Sequence, residues 1–290
     1  MEQSKHPIID SSVIVPVYSG EKVLPFLLES LSSQINNVPF EVILSDNGSS
    51  DSSLQIADRY ISSIPNLRII DSGFKRGKHY SLNCAINQAK SDRLILLDQD
   101  DVVNDSYVSA MSDALNYHPL VAAHMDSNKL NQQFEIPPRF APLNQKIGKF
   151  AIKIAAGGTL GMTRNAFWDI GAFDETFNYS TLDVDFCCRA HNRGYDLQLV
   201  DNAILYYRFR ESIKENYAQG FLYGKGNRAI ERRYPGIRGP RIRYTERLLL
   251  LLKESIQLLD TSRKDREKLA HNIGKSVGYL IEDKLGSRNV

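Results

Sequence analysis

Leu94-Ile-Leu-Leu-Asp-Gln-Asp-Asp101 sets four apolar residues directly against three carboxylates. A short unbroken apolar run ending in polar residues reads as a strand buried on both faces, the pattern of a parallel sheet covered by helices. The same rhythm recurs toward the N-terminus. Val13-Ile-Val-Pro-Val17 is a strand, followed by a helical pattern through Leu24, Leu27, Leu28 and Leu31. Phe40-Glu-Val-Ile-Leu-Ser45 is a second strand, running into the small polar turn Asp46-Asn-Gly-Ser-Ser-Asp51 and a helix over about 52–62. Leu67-Arg-Ile-Ile70 is a third, with a helix over about 78–90 behind it. Strand and helix in alternation predict an α/β fold with a mostly parallel central sheet flanked by helices.

Polar clusters fall where each strand stops, at 18–20, 46–51, 71–79 and 98–101. In an open parallel sheet the carboxyl ends of the strands form the ligand crevice, so four loops are expected to converge on one site. At 98–101 the carboxylates repel one another, and a divalent cation bound to phosphates would relieve that. A plainer account is an acidic turn opening the segment at Val102. The loop Lys75-Arg-Gly-Lys78 brings three cations to a strand end, suited to a diphosphate or simply to water. There is neither G-x-G-x-x-G after a strand nor G-x-x-x-x-G-K-[ST], which removes support from dinucleotide and P-loop chemistry.

Past residue 101 the alternation loosens. Val121–Met125 and Asp196–Val200 read as strands, Ala155–Gly161 as a strand needing close backbone approach, and 129–149 as loop. Phe173–Tyr179 is a loop and Thr181–Arg193 a helix ended by Gly194. From about 211 onward helices are expected, broken near Pro235–Pro240. These features divide the chain into an α/β unit over 1–210 that carries the converging loops and a helical C-terminal region over 211–290.

The net charge of +2 conceals an asymmetry: residues 1–207 hold 17 Lys and Arg against 24 Asp and Glu, while residues 208–290 hold 19 against 10. For the basic end, packing or homodimer formation is preferred over docking on an anionic membrane surface. No nucleic-acid partner is expected. Three cysteines without C-x-x-C spacing fit a reduced, cytoplasmic compartment. The N-terminus lacks a signal-peptide core, and the longest apolar run is Leu248–Leu252, so the chain is expected to be soluble or at most peripheral at the inner membrane face. His79, His118 and His124 stand in no ligand spacing and are read as structural. Phe167, Trp168, Phe173, Phe177 and Tyr179 are expected in the core, with Phe177 and Tyr179 the first exceptions to expect.

Six segments in order carry a resemblance. They are Val15-Pro-Val-Tyr18, Ser45-Asp-Asn-Gly-Ser-Ser-Asp51, Arg76-Gly-Lys78 with Leu82-Asn83, Leu97-Asp-Gln-Asp-Asp101, Gly171-Ala-Phe-Asp-Glu175 and Leu182-Asp-Val-Asp-Phe-Cys-Cys-Arg189. Together they resemble the inverting family 2 glycosyltransferases of GT-A fold, over about residues 12–233. The resemblance implies a nucleotide diphosphate sugar donor, UDP- or dTDP-linked. It implies base recognition by Asp46 and by the main chain of Pro16, Val17 and Tyr18. Arg76, Lys78 and Asn83 would meet ribose and diphosphate. Asp98 and Asp100, flanking Gln99, would be the D-x-D pair holding Mn²⁺ or Mg²⁺, with Asp100 the principal ligand. Asp183 would be the general base, with Gly157, Gly158 and Asp185 in the acceptor or donor-sugar region. The acceptor implied is a glycan or lipid-linked saccharide in cell-surface polysaccharide or glycoconjugate synthesis.

Two departures bear on this. Leu182 stands where the family usually has Glu, and Ile204-Leu-Tyr-Tyr-Arg-Phe-Arg210 lacks the His that often follows this strand and can ligate the metal. Arg208 and Arg210 are expected to compensate in part by pairing with diphosphate, unless they are merely solvated. These departures also leave open a non-catalytic sugar-nucleotide or glycan-binding subunit. A nucleotidyltransferase is disfavoured, because Tyr18-Ser-Gly-Glu-Lys22 is not its glycine- and arginine-rich loop.

Overall fold

The computed structural model describes residues 9–34, 38–64, 66–132, 152–177, 179–235, 244–260 and 265–286. Its first half follows the expected rhythm. Strands β1 (Ser11–Val17), β2 (Phe40–Asp46), β3 (Leu67–Asp71) and β4 (Arg93–Leu96) pair in parallel in the order β3-β2-β1-β4. Successive residues of β1 serve opposite faces, as the two-residue repeat of a strand requires. Ile14 packs with α3 (Lys78–Gln88), whereas Val13 and Val15 pack with α1 (Leu24–Ser32). The α1 helix buries Leu24, Leu27, Leu28 and Leu31, spaced i, i+3, i+4, i+7, and each such burial is worth about 1.5–3 kcal/mol. The short helix α2 (Ser53–Asp58) follows the polar turn after β2.

Beyond β4 the sheet becomes mixed. The order continues β4-β7-β6-β8-β5, with β5 (Val102–Val103), β6 (Leu120–Asp126), β7 (Leu160–Thr163) and β8 (Gln198–Tyr206). β7 runs antiparallel to both β4 and β6. This reversal explains why the sequence loses its regular alternation after residue 101. The segment expected as a strand over 155–161 is instead a 3₁₀ turn at Gly157–Thr159, and β7 starts only at Leu160. The last strand begins two residues later than expected and runs on to Tyr206. Helices α4 (Tyr107–Ala114) and α5 (Arg164–Ile170) were not legible in the sequence. Helix α6 (Leu182–Asn192) was, and Gly194 follows it with a left-handed φ of 82°. Most of the loop expected at 129–149, and the break expected at 235–240 after Pro235, lie outside the described residues.

Phe167, Phe173 and Phe186 are buried in one core and Phe177 in a separate small cluster with Ala229 and Ile230, but Trp168 is 47% exposed, a correction to its expected place. Its neighbour Phe167 takes the inward position of α5, and the indole meets it edge-on from the solvent side.

The C-terminal region is helical, with α7 (Ile213–Arg233), α8 (Tyr244–Leu259) and α9 (Arg266–Gly286). Gly220 and Gly224 on α7 face Gly274 and Gly278 on α9. A Cβ on any of the four would come within 2.0–2.1 Å of a carbonyl oxygen of the opposite helix. Four-residue spacing of glycine on both helices brings the two backbones into contact. Gly224→Leu is therefore expected to force α7 and α9 apart. Hydrogen exchange should show loss of amide protection in α9 while β1–β4 stay protected; unchanged protection of α9 would contradict the contact.

The pair is fastened to the rest of the molecule. Arg233 meets Asp174 at 2.6 Å and Asp185 at 3.3 Å, and the Tyr234 hydroxyl donates to Asp185 at 2.7 Å. Leu249, Leu252, Ile256 and Leu259 of α8 are exposed. Among the described residues no helix is long and apolar enough to cross a membrane.

Candidate active site

The four polar loops converge. The ends of β1, β2, β3 and β4 enclose a cavity of about 610 Å³, lined by Pro16, Val17, Tyr18, Asn47, Arg76, Lys78, Asp98, Gln99 and Asp100 among others. Side chains bridge loop to loop. Gln99 Oε1 accepts from the Tyr18 amide at 2.9 Å and its Nε2 donates to the Tyr18 carbonyl at 3.2 Å, which locks the acidic loop to the first one. Asn47 donates to the carbonyls of Ser72 and Lys75 and accepts from the Gly77 amide, joining the second loop to the third. Arg76 donates to the carbonyls of Asn47 and Gly48, with its guanidinium 4.7 Å from the centre of the Tyr18 ring. Tyr18 and Arg76 thus build one wall of the cavity, on which a flat base could stack.

Three expected residues are placed elsewhere. Asp46 is buried and does not line the cavity, because its carboxylate turns into its own loop to accept from the amides of Gly48 and Ser49; Asn47 holds the lining position. Asn83 faces away from the cavity. Its side chain donates to the Phe173 carbonyl and Glu175 and accepts from the Phe173 amide, clamping the 171–175 loop onto α3. Asp185 is buried against Arg189 (2.9 Å), Arg233 and Tyr234, where it ties α6 to the end of α7 rather than facing an acceptor. Positions two apart on a helix point to different faces, which is why the expectation of Asp185 beside Asp183 in one site is not met.

Asp183, in the first turn of α6, does not line the cavity itself but stands beside Lys78, which does. Its Oδ2 accepts from the Gly157 amide at 3.1 Å and its Oδ1 from the Val184 amide at 2.8 Å. A Cβ on Gly157 would lie 3.6 Å from Lys78 Nζ and 3.9 Å from Asp183 Cβ, so the glycine keeps open the gap between them. Burial pushes the Asp183 carboxyl above the usual aspartate range, against the opposing pull of the Val184 amide, the Lys78 charge and the Gly157 amide. The buried Leu182 just before it packs in the core, which explains an apolar residue there.

The acidic run divides by role. Asp101 is buried, accepts from the Asp98 amide at 2.6 Å and fixes the loop; burial, with the charges of Asp98 and Asp100, drives its carboxyl well upward in pKa. Asp98 and Asp100 face the cavity. Lys78 Nζ bonds to Asp98, and Arg210 Nη2 meets Asp100 Oδ2 at 2.9 Å. Burial alone would lower the Lys78 pKa, but the Asp98 charge and hydrogen bond leave it raised. Among the described residues no three His, Cys, Asp or Glu side chains gather as a metal cage. Two carboxylates lining this cavity still fit Mg²⁺ or Mn²⁺, which bind through one or two carboxylates, water and substrate phosphate. Burial pushes His79 down to about 4, so it is neutral and structural.

The sequence matches the model of glycosyl transferase family 2 over residues 12–171. The chain belongs to that family. Among family 2 relatives, the succinoglycan biosynthesis protein ExoA of Rhizobium meliloti is 27% identical over 249 residues, covering 79% of this chain and 73% of that protein. The poly(ribitol-phosphate) beta-N-acetylglucosaminyltransferase TarS of Staphylococcus aureus is 37% identical over 98 residues, 32% of this chain and 16% of TarS. In structure, the chain is similar to the mannosyltransferase PcManGT of Pyrobaculum calidifontis, solved with GDP-Man and Mn²⁺, at a TM-score of 0.62 and 15% identity over 93% of this chain and 87% of that one. TarS residues 1–349 with UDP-GlcNAc give 0.58 and 17%, covering 96% and 92%. The fold is that of GT-A glycosyltransferases.

Proposed function

We propose that this chain is an inverting glycosyltransferase. It takes a sugar from a nucleotide diphosphate donor, UDP- or dTDP-linked, to a hydroxyl of a glycan or lipid-linked saccharide in cell-surface polysaccharide or glycoconjugate synthesis. The observation that carries the reading is Asp183, whose carboxylate two backbone amides hold next to Lys78, a residue of the cavity that also presents Asp98 and Asp100. The nucleoside lies against Tyr18, Arg76 and Asn47, and the diphosphate at Lys78, Asp98 and Asp100. Asp183 takes the acceptor proton as that oxygen attacks the anomeric carbon, while the bond to the diphosphate breaks on the opposite side. Mn²⁺ or Mg²⁺ held by Asp98 and Asp100 would act as a Lewis acid on the leaving diphosphate. Gly157 leaves room for the sugar between Lys78 and Asp183.

The polysaccharide and lipid-linked roles rest on relatives such as ExoA and the undecaprenyl-phosphate 4-deoxy-4-formamido-L-arabinose transferases, which are 34–37% identical over about a third of this chain. A lipid-linked acceptor gives the exposed leucines of α8 a purpose at the cytoplasmic membrane face, with self-association as the other use of the same surface.

The test is a panel of UDP-, dTDP- and GDP-sugars with Mn²⁺, reading diphosphate release with saccharide and polyprenyl-linked acceptors. Turnover with a UDP- or dTDP-sugar is expected, and none with any donor would sink the proposal. The rate should fall at low pH as Asp183 gains its proton. Because its pKa is raised, the acid limb of kcat/KM is expected above the ordinary value of 3.8; a rate still flat down to that pH would exclude Asp183 as the base.

A further inference from the structure

Both D-x-D carboxylates already carry a cation from the protein itself. Lys78 bonds to Asp98, and Arg210, four residues past the end of β8, pairs with Asp100. Both cations pair with carboxylates that line the cavity, and both keep further N–H donors for a phosphate. Arg76 also lines the cavity, but its Nη1 is held by the carbonyls of Asn47 and Gly48 and its guanidinium lies against the Tyr18 ring, while Arg208 lies 4.8 Å from the centre of the Phe26 ring. The guanidinium of Arg210 has five N–H donors, and its salt bridge to Asp100 leaves the remainder available.

Arg210 is also held in place. Asn131, buried, accepts from the Phe209 amide at 2.8 Å and donates to the Tyr207 carbonyl at 2.6 Å. Asn216, fully buried, donates to the Arg210 carbonyl at 2.8 Å. The following helix opens with a capping box between Ser212 and Glu215. Two buried amides reading the main chain on either side of one arginine fix where that arginine starts.

From this arrangement we infer that Lys78 and Arg210 grip the donor's diphosphate directly, so that nucleotide binding at this site does not require a divalent ion. The inference rests on the reading of the cavity as the donor site. A divalent ion, where it binds, adds to a diphosphate site that the chain already provides. When the bond from the anomeric carbon to the diphosphate oxygen breaks, its electron pair stays on that oxygen. The new charge falls on the group that these two cations hold, which places them in the transfer step as well as in binding.

Calorimetric titration of the full chain with UDP, dTDP and GDP, each in EDTA and in Mn²⁺, tests this. The nucleotide that binds is expected to do so in EDTA within about fivefold of its affinity in Mn²⁺. Arg210→Ala and Lys78→Ala should each weaken binding in EDTA by about tenfold or more, the scale of one charge-assisted pair. Arg210→Lys should keep most of the affinity and Arg208→Ala all of it. Thermal melting of each variant checks folding, and should Arg210→Ala fail to fold, Lys78→Ala and the EDTA titration of the unaltered chain decide the matter alone. Binding that vanishes in EDTA and returns with Mn²⁺ overturns the inference while keeping the donor reading. So does wild-type affinity in EDTA for both alanine variants. No nucleotide diphosphate binding under either condition removes the donor reading itself.

Discussion

Asp183→Asn is expected to lower kcat by about 10²–10⁴-fold, the usual worth of a general base, with nucleotide affinity unchanged within about twofold. Asparagine keeps the volume and the oxygen that accepts from one backbone amide, but it cannot take a proton. Its NH₂ must face the second amide, either that of Gly157 or that of Val184. The loss of a hydrogen bond there costs on the order of 1 kcal/mol of stability, so the folded protein persists and the readout is catalytic. Turnover by stopped assay, nucleotide binding by calorimetry and thermal melting separate the outcomes. An active Asp183→Asn enzyme would move the base elsewhere, and an unaltered chain that binds nucleotide yet never turns over would favour a non-catalytic binding subunit. A role for Asp183 confined to capping α6 predicts loss of stability with the acid limb of the pH profile preserved; a role as base predicts the limb lost with the activity.

The first four strands were legible because each is a short, mainly apolar run that ends in polar residues, interrupted only by Glu41 in β2 and Arg68 in β3. That is also why the converging loops at 18–20, 46–51, 71–79 and 98–101 were found without any structural information. Sequence position says that a side chain stands at a strand end, but not which way it turns. Asp46 folds back onto Gly48 and Ser49, and Asn83 looks across to Phe173, each drawn by unsatisfied backbone groups that no spacing rule reveals. Asp185 carried its own signal, since it lies two residues from Asp183 on one helix and Arg189 follows four residues later as an ion-pair partner. Arg210 was singled out for a phosphate, yet its pairing with Asp100 across more than a hundred residues was invisible, because β8 reaches the acidic loop only through the mixed half of the sheet. Asn47 lines the cavity and knits two loops, and only its place beside Asp46 in the polar turn hinted at it.

Gly158→Ala is the substitution expected to disturb both stability and activity through a single contact. A Cβ at this position would lie 2.2 Å from Asp101 Oδ2 and 3.3 Å from the Asp98 amide nitrogen. Its backbone conformation is open to alanine, so the penalty comes from the clash rather than from φ. Asp101 is buried and cannot swing into water, and moving it breaks its hydrogen bond from the Asp98 amide, the bond that starts the acidic loop. Overpacking of this kind costs about 1–3 kcal/mol. The loop that presents Asp98 and Asp100 should shift with it, and a displacement of about 1 Å in a catalytic group is enough for a rate loss on the order of 10²-fold. Asp101→Ala separates the two effects. Removing the carboxylate makes room for the new methyl, so Gly158→Ala should cost at least about 1 kcal/mol less in that background, a coupling that a double-mutant cycle on thermal or denaturant unfolding reads directly. Activity should not return with stability, because the double variant still lacks the acceptor that anchors Asp98. Recovery of full activity in the double variant would mean that Asp101 merely fills space beneath the loop, and additive stability losses would mean that the two residues do not touch.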